Sequence, residues 1–179
     1  MKPAAALLLG LAVLTARADE KGAEVNLDGL KSKTPAGWKE ETPSNRLRWM
    51  QFRVPKAEGD EANGELYLTK GISGSKEDNL KRWKGQFLPP TGKKIDDVTK
   101  VEDIKVAGCD VMYVDIQGTY LEGAPMAPAA MKKRRPNYRM LAVQFEGPSD
   151  VYHIKFTGPA KTVAEQKKAF DEWLKGFKK

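Results

Sequence analysis

The single histidine of the chain, His153, limits the catalytic chemistry that the sequence can support. Zinc centres with two or three histidines are excluded, and a histidine-based catalytic triad would have to use His153. His153 shares a strand phase with Val151 and Lys155, opposite the apolar phase of the same segment. This alternation predicts a half-exposed structural histidine. The alternative is a hydrolase or isomerase whose carboxylates converge on His153 only in three dimensions.

The other polar motifs do not form a recognisable catalytic or cofactor site. Acidic pairs occur at positions 96–97 and 102–103, but neighbouring strand residues point to opposite faces, so neither pair converges by itself. Segment 71–76 leads into a helix without the G-x-x-x-x-G-K-[ST] spacing of a phosphate-binding loop, and Glu77 and Asp78 would repel a phosphate there. No serine stands in a G-x-S-x-G elbow. The sequence predicts no cofactor, no metal and no catalytic residue.

The most irregular segment, residues 122–137, is rich in alanine, proline and methionine. It contains four consecutive cations, Lys132, Lys133, Arg134 and Arg135. This composition predicts a long loop. The cations would attract lipid headgroups, acidic polysaccharide or a partner protein, at about 1 kcal/mol per basic residue near a charged membrane. We therefore treat Lys132 to Arg135 as a candidate binding surface, and a solvated mobile loop is the alternative.

Trp38 is the candidate aromatic contact. It ends the turn Thr34–Trp38, where an exposed ring could act as a binding platform. Trp83 and Trp173 fall on apolar helical stripes, so we predict that both are core residues. The lone Cys109 cannot form an internal disulfide and is predicted to be a small buried hydrophobe.

Residues 1–18 have the three parts of a cleavable secretory signal peptide. These are the positive Lys2, an apolar run over residues 4–14, and Ala16 and Ala18 in A-x-A spacing. The apolar run is shorter than the roughly twenty residues that a membrane-spanning helix needs. Cleavage after Ala18 predicts a secreted or periplasmic protein, and no second apolar stretch suggests a transmembrane anchor.

Residues 19–179 have the length of one domain. The whole chain carries a formal charge of +7, and cleavage removes Lys2 and Arg17 but no acidic residue. The remaining charge is modest and mixed in sign, unlike that of a dedicated nucleic-acid binder. We therefore expect no nucleic-acid partner.

Apolar periodicity divides the mature segment into strands and two helices. Segment 75–87 begins with a possible Ser75–Asp78 capping box, and segment 163–178 follows a possible Thr162–Glu165 box. The predicted strands span residues 46–54, 64–70, 98–106, 109–121, 138–145 and 151–157, after a loose start leading to an edge strand. Short connections imply antiparallel pairing. The fold class is α+β, a mostly antiparallel sheet of about six to seven strands with two helices packed on it.

Three segments carry a resemblance: Pro35–Trp38, Asn79–Phe87 and Phe156–Val163. Together they resemble uncharacterised bacterial secreted proteins that bear signal peptides, a group without an assigned activity. The element order and the P-x-x-W turn are more distantly similar to PsbP-like domains, an antiparallel sheet between helices. That resemblance implies an accessory or binding module and assigns no functional residue.

These observations favour a secreted, non-enzymatic binding or accessory domain. Its expected partner is an anionic envelope component or a protein, contacted through the basic loop. Two alternatives stay open, namely a hydrolase or isomerase built around His153 and a carrier that holds a small apolar ligand between sheet and helix.

Overall fold

The computed structural model describes residues 22–72, 74–123 and 127–179. The predicted signal peptide, residues 1–18, lies outside the described residues. The described residues form ten strands and two α-helices: β1 (Glu24–Leu27), β2 (Leu30–Lys33), β3 (Lys39–Glu41), β4 (Met50–Val54), β5 (Gly64–Lys70), α1 (Lys76–Lys84), β6 (Phe87–Leu88), β7 (Thr99–Val106), β8 (Cys109–Glu122), β9 (Lys133–Glu146), β10 (Val151–Pro159) and α2 (Ala160–Lys175).

Eight of these strands form one antiparallel sheet in the order β3-β4-β5-β10-β9-β8-β6, with β7 also paired to β8. The long strand β8 pairs with β9 on one side and with β7 and then β6 on the other. At Gly118 the backbone of β6 lies so near that an added Cβ would be 2.5 Å from the carbonyl oxygen of Leu88. The predicted fold class, α+β with two helices on a mostly antiparallel sheet, is confirmed.

The sheet has apolar side chains on both faces, and each face is covered by one helix. On the first face, α2 packs on the alternate residues Tyr152, Ile154 and Phe156 of β10, together with those of β8 and β9. Phe156 and Phe170 stack with ring centres 5.9 Å apart. Fully burying one such side chain contributes about 1.5–3 kcal/mol. The larger of the two clusters of buried side chains lies on this face, so this face supplies most of the core.

The second face is covered by α1, which is only nine residues long. Its Trp83 packs in a cluster with Val114, Ile116, Met140 and Ala142 of β8 and β9. The predicted capping box is confirmed, because the Ser75 side chain accepts from the backbone of Asp78 and the Asp78 side chain from that of Ser75. Because the helix is so short, it does not cover the neighbouring surface of β5 and β10.

The predicted loop at residues 122–137 is wrong. Strand β8 extends to Glu122, which pairs with Lys133 at the start of β9. Asn137 adopts a positive φ of 54° where the register shifts, between the pairs Gly118–Tyr138 and Tyr120–Arg135. Backbone pairing with β8 therefore outweighs the loop-like composition, and the bulge accommodates Pro136. The connection is shortened to residues 123–132, of which 124–126 lie outside the described residues.

The predicted Thr162–Glu165 capping box is also wrong, because α2 begins at Ala160 and Thr162 lies within its first turn. The hydroxyl of Thr162 donates to Asp60 Oδ2 at 2.6 Å and accepts from the amide of Ala57 at 3.0 Å. The carboxylate of Asp60 also accepts from the Thr162 amide at 2.9 Å. A distant loop thus satisfies the free amide that a local cap was expected to bind.

The expected loose start is instead a two-stranded hairpin of β1 and β2. Its turn residues, Asp28 and Gly29, both have positive φ, which is typical of a tight hairpin turn. Asp28 accepts from the Tyr152 hydroxyl at 2.7 Å and fixes the hairpin to the large sheet. Among the described residues, no helix is both long and apolar enough to span a bilayer.

Candidate functional site

A cavity of about 640 Å³ lies beside α1 on the second face of the sheet. We call it the α1 pocket. Its lining residues come from β5, β10, α1, the end of β8 and four connecting segments: Asn45, Leu47, Arg48, Tyr67, Thr69, Ile72, Arg82, Trp83, Gln86, Tyr120, Leu121, Gly123, Lys132, His153 and Lys155. The volume lies within the usual range of small-molecule sites.

Lys155, on the central strand β10, is the most unusual side chain of the α1 pocket. The residue is 5% exposed, and its Nζ donates to Tyr120 Oη at 3.2 Å and to Gln86 Oε1. The ring of Tyr67, on the neighbouring strand β5, and the ring of Tyr120, on β8, have their centres 5.7 Å and 5.0 Å from Nζ. The ammonium is thus held by neutral oxygens and aromatic faces.

Burial lowers the pKa of Lys155 to about 7. The loss of hydration disfavours the charged amine, and the nearby cations Arg48, Arg82 and Lys132 act in the same direction. Glu65, which has the largest single effect among the nearby charges, raises the pKa and opposes them. Near neutral pH the amine therefore exists in both its charged and neutral forms.

His153 lies two residues before Lys155 and is 4% exposed, so the predicted half-exposed histidine is wrong. Its Nε2 is 3.1 Å from Asn79 Nδ2 of α1. An amide nitrogen only donates, so Nε2 accepts, and we infer that the ring proton is on Nδ1. Burial, with a smaller effect from Arg82, lowers the pKa of His153 to about 4. The imidazole is neutral at physiological pH.

Two residues that line the α1 pocket each have a buried polar atom without a partner in the described part of the chain. The atoms are Thr69 Oγ1 and His153 Nδ1, on residues that are directly opposite each other on β5 and β10. A buried polar group without a hydrogen bond costs about 1–3 kcal/mol. Both atoms are therefore an energetic cost of folding in this part of the sheet.

The charge on the pocket lining is one-sided. Arg48, Arg82 and Lys132 are cationic, Lys155 is partly charged near neutral pH, and no Asp or Glu lines the cavity in the ranges that the structure describes. Arg48 forms an ion pair with Glu65 at 2.9 Å and stacks over Tyr67 at 4.0 Å. Arg82 donates to the neutral Asn79 Oδ1. The cavity therefore favours an anionic occupant.

The candidate surface Lys132 to Arg135 is divided by the structure. Lys132 lines the α1 pocket, whereas Lys133, Arg134 and Arg135 follow along β9, where successive side chains point to opposite faces. Arg135 is paired with Glu122 at 2.9 Å, and Lys133 and Arg134 are exposed. The four cations do not form a single patch on a loop.

Trp38 is not an exposed platform, because it is 5% exposed and belongs to the core beneath α2. Its ring lies 5.8 Å from that of Trp173, and its Nε1 donates to Gln166 Oε1 at 3.1 Å. Trp83 and Trp173 are buried as predicted, while Cys109 is only partly buried against the core. The turn before Trp38 directs the side chain inward, where the ring packs against the apolar face of α2.

The acidic pairs at positions 96–97 and 102–103 do not line the α1 pocket. In the described residues, no group of three or more His, Cys, Asp or Glu side chains is arranged to hold a metal ion. The polar neighbours of His153 are thus the Asn79 amide and the Arg82 guanidinium, and within the part of the chain that the structure describes no carboxylate is among the pocket-lining residues.

Sequence reasoning missed Lys155, Tyr67, Tyr120, Arg48 and Arg82. One available signal was the pair of polar residues, His153 and Lys155, on a strand whose two faces both have to be covered. A polar phase beneath a helix indicates either a buried hydrogen-bond network or a ligand cavity.

The sequence matches no protein-family model and no curated protein. A solved protein of unknown function from Pseudomonas aeruginosa is 12% identical, with a TM-score of 0.48 over 86% of this chain and 94% of the other. Cyanobacterial PsbP (CyanoP) from Synechocystis sp. PCC 6803 is 13% identical, with a TM-score of 0.49 over 94% of this chain and 98% of the other. These likenesses concern overall fold alone.

Proposed function

We propose that this protein is an exported binding domain that holds a small organic anion in the α1 pocket. The observation that carries the proposal is a cavity of about 640 Å³ lined by three cations and the partly charged Lys155 and, within the described residues, by no acid. Export rests on the sequence of residues 1–18, which has the features of a secretory signal peptide.

The walls of the cavity indicate what else the ligand contains. Leu47, Ile72, Trp83 and Leu121 supply apolar surface, and the rings of Tyr67 and Tyr120 lie beside Lys155. A wholly apolar ligand would leave the pocket cations without partners in a dry site. An anion with an apolar or aromatic part satisfies both kinds of surface, so we favour it over the purely apolar cargo of a simple carrier.

The fluorescent anion 1-anilinonaphthalene-8-sulfonate tests this proposal directly. We expect it to bind the intact protein, and we expect Lys155→Met and Arg82→Gln each to weaken binding about tenfold, the effect of losing one charge-assisted hydrogen bond. Arg134→Gln removes an exposed cation outside the pocket and is the matched control. Circular dichroism and thermal melting of each variant verify folding. Equal affinity of wild type and both pocket variants would contradict the proposal.

Lys133 and Arg134, which are exposed on opposite faces at the start of β9, support a second proposed contact, to an acidic envelope component. Such a contact is screened by salt, because exposed charges interact weakly beyond about 10 Å at 0.1 M ionic strength. Retention on vesicles that contain anionic lipid, compared between the wild type and Lys133→Gln/Arg134→Gln, tests it. Identical retention would eliminate this contact and leave the pocket proposal unaffected.

A further inference from the structure

We infer that Lys155 is a nucleophilic amine that forms a reversible imine with the carbonyl group of an anionic aldehyde or 2-oxo acid in the α1 pocket. The inference deepens the proposed function and rests on it, since the same cavity has to admit the ligand. It names the ligand class and the atom that reacts.

The placement of Nζ is the first support. Lys155 lines the cavity from the central strand β10, and its hydrogen-bond partners, Tyr120 Oη and Gln86 Oε1, are both neutral. A lysine whose role is structural in a buried site is normally paired with a carboxylate. Lys155 instead faces a cavity and has no carboxylate among the hydrogen-bond partners that the described residues provide. A lysine acts as a nucleophile in this kind of environment.

The charges around Nζ are the second support. Arg48 and Glu65 face it from the β4–β5 side, Arg82 from α1, and Lys132 from the segment before β9. The phenols of Tyr67 and Tyr120 stay protonated because burial raises the pKa of each, and the neighbouring His153 is neutral. With the pKa of Lys155 lowered to about 7, about half of the amine is neutral at pH 7. An exposed lysine with its ordinary pKa has about a thousandfold less neutral amine at that pH.

The reaction balances without an oxidant or reductant. The lone pair of neutral Nζ attacks the carbonyl carbon, a C–N bond forms, and one amine proton moves to the carbonyl oxygen to give a carbinolamine. Loss of that hydroxyl with a second amine proton, as water, leaves the imine, and hydrolysis returns both reactants. Tyr120 Oη, 3.2 Å from Nζ, can donate a hydrogen bond to the oxygen on the reacting carbon.

The cations set the ligand class. A carboxylate attached to the carbonyl, as in glyoxylate or a larger 2-oxo acid, would lie among Arg48, Arg82 and Lys132 while its carbonyl carbon meets Nζ. An uncharged aldehyde has no such anchor. We therefore expect glyoxylate to label Lys155 faster than propanal does.

Reductive trapping tests the inference. The intact protein is treated with glyoxylate and sodium cyanoborohydride at pH 7, and the modified lysines are located by peptide mass spectrometry. We expect Lys155 to be labelled about tenfold or more faster than any exposed lysine, with a rate that is half-maximal near pH 7 and levels off about one pH unit above it. Lys155→Met should abolish the fast phase, and Lys133→Met, which removes an exposed lysine, should leave it unchanged.

The outcomes separate the two proposals. Labelling spread evenly over surface lysines, or a fast phase that persists in Lys155→Met, would overturn the imine inference. If wild type binds 1-anilinonaphthalene-8-sulfonate through the pocket but gives no fast adduct, only the inference fails. If neither occurs, both fail. Because Lys155→Met could disturb folding, Tyr120→Phe provides a second variant, with slower labelling expected and an intact ring at that site.

Discussion

At the scale of single residues, His153 and Lys155 show how position changes the chemistry of a side chain. Both belong to the phase of β10 opposite its apolar residues, and the sequence analysis predicted a half-exposed His153 there. In the structure α1 and the neighbouring strands bury both, and burial lowers the pKa of His153 to about 4 and that of Lys155 to about 7. Each group thus loses charge that it would carry in water, and the neutral forms become available for binding and reaction.

The lowered pKa of His153 makes a prediction about acid stability. The unfolded chain has the ordinary histidine pKa of 6.5, so between pH 6.5 and about 4 it binds a proton that the folded protein does not. The free energy of unfolding should therefore fall as the pH falls through this window, by about 3 kcal/mol in all, and this contribution levels off below pH 4.

Urea unfolding of wild type and His153→Gln at pH 7, 6, 5 and 4 measures this effect. The glutamine keeps an acceptor for Asn79 but does not titrate, so its curve should be flatter by the histidine contribution. Parallel curves for the two proteins would show that His153 is not responsible.

At the scale of elements, α1 is the part of the fold on which the site depends. The nine-residue helix supplies Arg82 and Trp83 to the pocket and Asn79 to His153. A helix this short has little stability of its own. It is therefore stabilised by its N-terminal cap and by its packing on β8 and β9. A local change at Ser75 should therefore be felt in the cavity.

We expect Ser75→Ala to lower the free energy of unfolding by about 1 kcal/mol, because it removes the hydroxyl that accepts from the Asp78 amide. The same change should weaken binding of the fluorescent anion, since α1 forms one wall of the pocket. Ser44→Ala, at an exposed loop position, is the matched control. Denaturant unfolding and fluorescence titration of both variants check the prediction. A loss of stability without any change in affinity would separate α1 from the ligand site.

At the scale of the whole molecule, the two faces of one sheet have different tasks. The α2 face is filled by aromatic and aliphatic side chains, including Trp38, Phe156, Phe170 and Trp173. The α1 face is only partly covered by its smaller apolar cluster and carries the pocket beside it. Stability therefore depends mainly on one face, which leaves the other free to hold buried cations at some energetic cost.

The proposed export concerns the whole chain and gives a separate prediction. Protein recovered from the cells that make it should begin at Asp19, because signal peptidase requires small residues in the A-x-A positions. N-terminal sequencing or intact mass measures the start. Replacing Ala16 and Ala18 with leucine should retain residues 1–18, and a wild-type protein that still begins at Met1 would refute export by this route.

Local patterns were sufficient for much of the fold. The alternation in residues 64–70 and 151–157, the Ala107–Gly108 turn and the Ser75 cap each depend on interactions within a few residues, so their strands, hairpin and helix start were predicted correctly. Repeated short connections then gave the antiparallel α+β class.

Only the tertiary structure decided which polar residues are buried. The Thr162 hydroxyl binds Asp60, 102 residues away, and Lys133 continues a strand because Glu122 pairs with it. The α1 pocket forms because β5 lies beside β10 and α1 packs next to them, an arrangement of segments far apart in sequence. Desolvation and through-space charge depend on these distant neighbours, so the chemistry of His153 and Lys155 could not be derived from sequence periodicity.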